Sequence, residues 1–271
     1  MTRVFFREEL ETVATYWWIF RRDGVTLGFT SHNRDLVFDS IRHRAAPGML
    51  PSAIRRTAEL AREDVEVEGI LSHDAISAED LQQGRFDGAR IAIGVVDWET
   101  REAQPLFHGA IESVSQDADS FIAELLSAKA ALEADTVPRT SPTCRAQFCD
   151  AHCRLSAAHF THVAKLESLD LAENSLLFSD APDPAAMLHG SLRWLDGPQS
   201  GVTMQVLSAD AAGLVLDRDI DPHLATGTRA LLREGCDHTL ATCGSRFGNA
   251  VNFQGEPFLP GNDFLTRYPS S

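Results

Sequence analysis

Val13-Ala14-Thr15-Tyr16-Trp17-Trp18-Ile19-Phe20-Arg21-Arg22-Asp23-Gly24-Val25-Thr26-Leu27-Gly28-Phe29 sets two β-favouring runs, Val13–Phe20 and Val25–Phe29, on either side of Arg22-Asp23-Gly24. β-Branched and aromatic side chains suit a pleated, half-buried surface, and an Asp-Gly pair accepts the positive backbone angles of a tight hairpin. The stretch predicts an antiparallel hairpin in a mainly β chain. Outward from it the same signs recur: Val65–Leu71, Ala89–Trp98, Leu106–Ser115 and Phe121–Ser127 read as strands, the last two around the polar turn Gln116-Asp117-Ala118-Asp119. Short helices are expected at Ser77–Gln83, with Ser77 as the cap, and at Lys129–Ala134. Residues 1–137 thus form an N-terminal antiparallel β domain.

Pro138 and Pro142, with Ser and Thr between, punctuate the chain before a second β pattern begins. Val163–Leu171, Ser175–Phe178, Gly190–Leu195, Val202–Leu207, Leu214–Leu216 and Arg229–Arg233 follow at close intervals, two of them joined by the turn-rich Asp196–Gly201. Short strands so spaced predict a small β-barrel or sandwich over 161–229. It is inserted between 138–160 and 230–271, which together carry all the cysteines and form a small cysteine-clipped domain.

With 271 residues, 44% of them apolar and 23% charged, the chain has the composition of a globular protein with room for two or three compact units. No apolar run has the length of a bilayer span. The net charge of −15, from 39 acidic against 24 basic residues, argues against a surface that grips nucleic acid through its phosphates and favours protein partners.

Four cysteines stand as two clips, Cys144 with Cys153 and Cys236 with Cys243, with residues 154–235 between them. A disulfide framework belongs to short secreted chains. Here the cysteine count is odd, and Met1–Glu9 reaches acidic residues before an apolar core that could serve as a signal peptide, so reduced thiols made in a cytoplasm are expected. Four thiolates suit tetrahedral zinc or an iron–sulfur cluster. Structural zinc usually takes tighter turns than either clip, so the spacing leans to the cluster. Buried cysteines that act only as small hydrophobes are the plain alternative. Cys149, inside the first clip, reads as a bystander. His152, His159 and His162 are further candidate ligands, the last two spaced as neighbours on a helix face, although exposed polar residues explain them as well. After Cys243, Phe247, Phe253 and Phe258 punctuate a Gly-, Asn- and Pro-rich tail that either wraps the site or docks on another subunit.

The run Cys144-Arg145-Ala146-Gln147-Phe148-Cys149-Asp150-Ala151-His152-Cys153, then Gly235-Cys236-Asp237-His238 to Ala241-Thr242-Cys243, Arg246-Phe247-Gly248-Asn249, Asn252-Phe253 and Pro260-Gly261-Asn262-Asp263, resembles the tail hub proteins of gene transfer agents and related siphophages. At the front, Asp64–Gly69, Gly84–Ala89 and Trp98 look like the N-terminal domain of the same family. The resemblance covers nearly the whole chain. It is similar to the minor tail protein L of phage lambda, and it implies that Cys144, Cys153, Cys236 and Cys243 hold an iron–sulfur cluster of the 4Fe–4S kind, with zinc as the alternative. Two positions depart from the family pattern: Cys149 stands where glycine is expected and Glu256 where an apolar residue is. The implied role is structural. The chain would be a non-enzymatic homotrimeric hub in the baseplate of a virion-like tail, made and assembled in the bacterial cytoplasm. It would join the distal tail protein to the central tip or fibre protein, with a cell-wall peptidase as a further partner, and enclose a channel through which DNA only passes. An acidic or neutral channel wall would let DNA run through without binding it.

The competing class is an iron–sulfur or zinc redox enzyme or sensor. Four cysteines close the site where catalysis usually leaves an open position, and no Gly-rich nucleotide loop or acyl-transfer motif accompanies them.

Overall fold

The computed structural model describes residues 12–46, 50–51, 64–70, 76–116, 120–132 and 137–258. Met1–Glu9, the tip of the 117–119 turn, the end of the Lys129–Ala134 helix and Pro260–Asp263 lie outside the described residues. The chain divides into two compact units, Met1–Asp135 and Thr136–Ser271.

The first unit is a sheet of β1 (Val13–Phe20), β2 (Thr26–Thr30), β3 (Leu36–Phe38), β4 (Ile41–Ala45), β5 (Leu50–Pro51), β6 (Asp64–Ile70), β7 (Arg90–Asp97), β8 (Ala103–Gln116) and β9 (Ser120–Ser127). Among the described residues their order is β3-β4-β2-β1-β7-β8-β9-β6-β5. The expected hairpin is β1–β2, in register from Tyr16↔Thr30 to Phe20↔Thr26, and its turn is locked where Asp23 accepts from the Arg21 guanidinium and the Val25 amide. Alternation then explains burial: Trp17 and Ile19 point to one core with Phe29, Ile91, Ile93 and Leu125, while Tyr16 faces Leu36, Phe38 and Val96 on the other side. Helix α1 (Ala78–Gln82) is capped as read, with Ser77 Oγ accepting from Asp80 N at 3.0 Å.

The sheet is mixed, not wholly antiparallel. β2 pairs β4 in parallel, Gly28↔His43 to Thr30↔Ala45, because β3 intervenes in sequence and folds back on β4 through Asp39 and Ser40, both at positive φ. His43 is fully buried there, stacked on Phe38 at 3.8 Å, and burial lowers its pKa to about 4, so it packs as a neutral ring.

In the second unit, β10 (Thr161–Asp170), β11 (Ser175–Ser179), β12 (Ser191–Trp194), β13 (Thr203–Asp210), β14 (Gly213–Leu216) and β15 (Arg229–Arg233) close a barrel in the order β10-β11-β14-β13-β12-β15. Of the two alternatives read from the sequence, the barrel is the one formed. Inward residues of every strand meet in one core that includes Ala164, Leu166, Leu176, Leu192, Trp194, Met204, Leu214 and Leu232. The cysteine-bearing segments belong to the same compact unit as this barrel. They include α3 (Leu240–Ser245), and α2 (Pro184–Met187) crosses between barrel strands β11 and β12.

Candidate metal centre

The first clip is a loop organised by one carboxylate. Asp150 accepts from the amides of Gln147 (3.0 Å), His152 (2.8 Å) and Cys153 (2.7 Å), and these backbone donors, that of Cys153 foremost, hold its pKa below the ordinary range. The turn takes Cys149 to φ +65. That left-handed geometry is the physical reason a glycine suits the position.

Asp237 does the same work in the second clip, accepting from Thr239 N (2.9 Å), Thr239 Oγ1 (3.0 Å) and Thr242 Oγ1 (2.7 Å). Thr239 in turn caps α3 by accepting from Thr242 N at 3.2 Å. The helix presents Cys243, which is buried. Ahead of Cys236, Gly235 lies so close to the end of α2 that an added Cβ would come within 1.8 Å of the Leu188 carbonyl oxygen, so no larger residue fits without displacing backbone.

Direct bonds join the clips. Cys144 N donates to His238 O at 2.8 Å, and His238 Nδ1 lies 3.1 Å from Cys144 O; a carbonyl only accepts, so Nδ1 carries the ring proton. Asn249 spans both clips from the tail: its Nδ2 donates to Cys153 O at 2.7 Å, and its backbone amide donates to Cys243 O at 2.9 Å. Amide donors also face sulfur, from His238 to Cys236 Sγ at 3.4 Å and from Gln254 to Cys144 Sγ at 3.3 Å.

Cys144, Cys153, Cys236 and Cys243 therefore line one small cavity of about 20 Å³, walled further by Phe148, Phe247 and Asn249. All five thiols are free of disulfides. Phe148, Phe160 and Phe247 pack as a trio with ring centroids 5.0 to 5.4 Å apart. Arg246 lies over Phe247 at 4.7 Å and bonds to Glu234, whose other oxygen meets His162 Nε2 at 2.8 Å. Burial raises the pKa of Cys236 and Cys243, and the neighbouring sulfurs raise it further. Burial likewise takes Cys149 up to about 11. Among the described residues, no group of three or more His, Cys, Asp and Glu side chains is drawn together as a single bound ion needs them.

Of the candidate ligands, His152 and His159 are exposed and do not line the cavity. The four clip cysteines share the cavity, and Cys149 does not line it. His159 and His162 do not share a helix face: His159 is in a 3-10 turn and His162 in β10. The tail divides, since Phe247 packs at the cavity while Phe258 is 88% exposed. Asn249, Asp150 and Asp237 were missed as supports. Asn249 sits in the Arg246-Phe247-Gly248-Asn249 motif, but a short polar side chain beside a glycine reads first as a turn.

A family profile described as baseplate hub protein, N-terminal attachment domain, matches residues 3–156, more than half of the chain. The chain belongs to the baseplate hub protein family. A second profile, phage conserved hypothetical protein BR0599, matches residues 186–263 of the hub, so the first clip falls in one match and the second clip in the other. Among solved structures, a chain of the virion of a native gene transfer agent particle is similar to the hub at 31% identity and a TM-score of 0.81, over 97% of the hub and 93% of that chain. No curated protein matches the sequence. The hub is thus a structural protein of phage-like and gene-transfer-agent particles, and no helix among its described residues is long and apolar enough to cross a membrane.

Proposed function

We propose that this hub is a trimeric ring that joins the distal tail protein to the central tip or fibre protein around the DNA channel, with an iron–sulfur cluster as a staple. Cytoplasmic assembly and contact with a cell-wall peptidase belong to the same reading. The hub role is supported by the family match and the likeness to the gene transfer agent chain, and the staple by the convergence of four thiols, from two clips that flank the barrel in sequence, on one cavity. Soft thiolate donors favour iron or zinc over hard cations. Cys144, Cys153, Cys236 and Cys243 would hold the group, and it would cross-link the two clips through their sulfurs. The amides of His238 and Gln254 would donate to ligand sulfur, and Asn249 would hold the clips in register. The cavity is little larger than the roughly 10–15 Å³ one water needs, so a group held there would be bonded to the lining sulfurs and not merely enclosed. With all four donors from the protein, the site has no vacant position for turnover, which fits a staple better than a catalyst.

Anaerobic purification tests the cofactor. A brown protein with about four iron and four sulfide per chain is expected, and Cys236→Ser should lose most of both. A colourless protein holding one zinc would replace the cluster with the ion, and a protein with neither would end the staple. Mass measurement of the isolated and particle-bound hub tests the trimer.

A further inference from the structure

In the first unit the strand register sets Phe20, Arg90, Ala110 and Leu126 in one row across β1, β7, β8 and β9, and Trp18, Ala92 and His108 in the next. Directly paired residues share a face of a sheet, so both rows stand on the same side. Ala92 and Ala110 lie diagonally on the two central strands and leave a low floor between Phe20, Arg90, His108 and Leu126. The result is a trough of about 630 Å³, continued at one end by Ala128 and Ala130 beyond β9. A second hollow of about 430 Å³ opens on the other flank of Phe20, which lines both, and Arg42 and Arg44 stand in it.

Charge in the trough runs against that of the chain. Among the described residues lining it, the charged or titratable ones are Arg90 and His108, with no Asp or Glu, although the net charge is −15; Arg42 and Arg44 alternate with His43, which shares the Trp18 face, and so stand on the other side of the sheet. Arg42 is paired with Asp35 at 2.7 Å, and the Arg90 guanidinium lies 5.4 Å over the Phe20 ring at the wall of the trough. Ser127, also a lining residue, is 6% exposed, and its hydroxyl has no hydrogen-bond partner among the described residues. A buried hydroxyl is rarely left so.

We propose that this trough is the seat by which the hub is attached, and that it receives a segment of a neighbouring tail protein presenting large apolar side chains together with a carboxylate. The proposal rests on the hub reading and deepens it. Alanine floor and aromatic wall take the apolar part, and Arg90 and His108 take the acid. A nucleic acid backbone would meet the arginine but gain nothing from the alanine and leucine surface, and the acidic chain around it would repel the phosphates.

The test places a photo-reactive benzoylphenylalanine at Ala110 of the full-length hub in producing cells, followed by irradiation of purified particles and peptide mapping. A second variant carries it at Ala130, on the rim, where bulk does not fill the floor. One cross-linked segment of another tail protein is expected, with apolar residues beside Asp or Glu. Arg90→Glu with His108→Glu should lower incorporation into particles about tenfold or more, and Arg90→Lys should keep it. Incorporated hub whose cross-links at both positions lead to a second copy of the hub, to DNA or to nothing would overturn the seat while leaving the hub role intact. Particles that assemble without the hub would overturn the role itself.

Discussion

Cys149 shows how a single residue can look like chemistry and be geometry. Its backbone is at φ +65, where any side chain costs about 1 kcal/mol and glycine nothing. Cys149→Gly is therefore expected to leave iron content unchanged and to stabilise the unit by up to about 1 kcal/mol, read from denaturant unfolding; loss of iron would make the fifth thiol a ligand. Glu256, the other departure from the family pattern, has its own purpose. Its carboxylate takes two bonds from Arg145, at 2.7 and 2.9 Å, and one from Ser141 N at 2.9 Å, tying the tail to the first clip. The Arg145 bond, seconded by that of Ser141, lowers its pKa to about 2. A carboxylate depressed in the fold contributes stability above its unfolded value near 4.5, and that contribution drains as pH falls towards 2. The difference in melting temperature between wild type and Glu256→Gln should shrink as pH is lowered from 5 to 2; a difference that does not change with pH would deny the pair its role.

At the scale of elements, burial in the barrel sets the energies. Leu232 is fully buried among Ala164, Leu192 and Trp194, and Leu232→Ala should cost about 2–5 kcal/mol by chemical denaturation. Gly235→Ala should be comparably damaging despite adding one methyl, because the intruded atom is the Leu188 carbonyl and not a movable side chain. Most strands were legible beforehand: β1 lies where alternation puts it, and β7, β10, β11 and β15 fall within a residue or two. The Arg42-His43-Arg44 run hid β4, since outward arginines and an inward histidine imitate a polar loop. The turn before it, Asp39-Ser40, lacks the glycine that marks hairpins. Parallel pairing of β2 with β4 is a long-range outcome that no local pattern carries. In the site, cysteine spacing announced the clips. The hydrogen bonds from Asn249 to both of them depend on a tail that returns across the chain, and spacing says nothing of that.

For the whole molecule, the proposed cluster predicts that the two units answer differently to its loss. Both clips lie within Thr136–Ser271, so binding energy at the thiols would be folding energy for that unit. Calorimetry before and after oxidative removal of the metal with chelator is expected to show one transition moving down and the other staying; two that move together would mean the units unfold as one. The barrel carries a last consequence. Among the described residues its six strands close on themselves and leave no unpaired ladder within the barrel. Were copies to crowd as the proposed trimer requires, strand-to-strand accretion into a fibre would find no starting edge on the barrel.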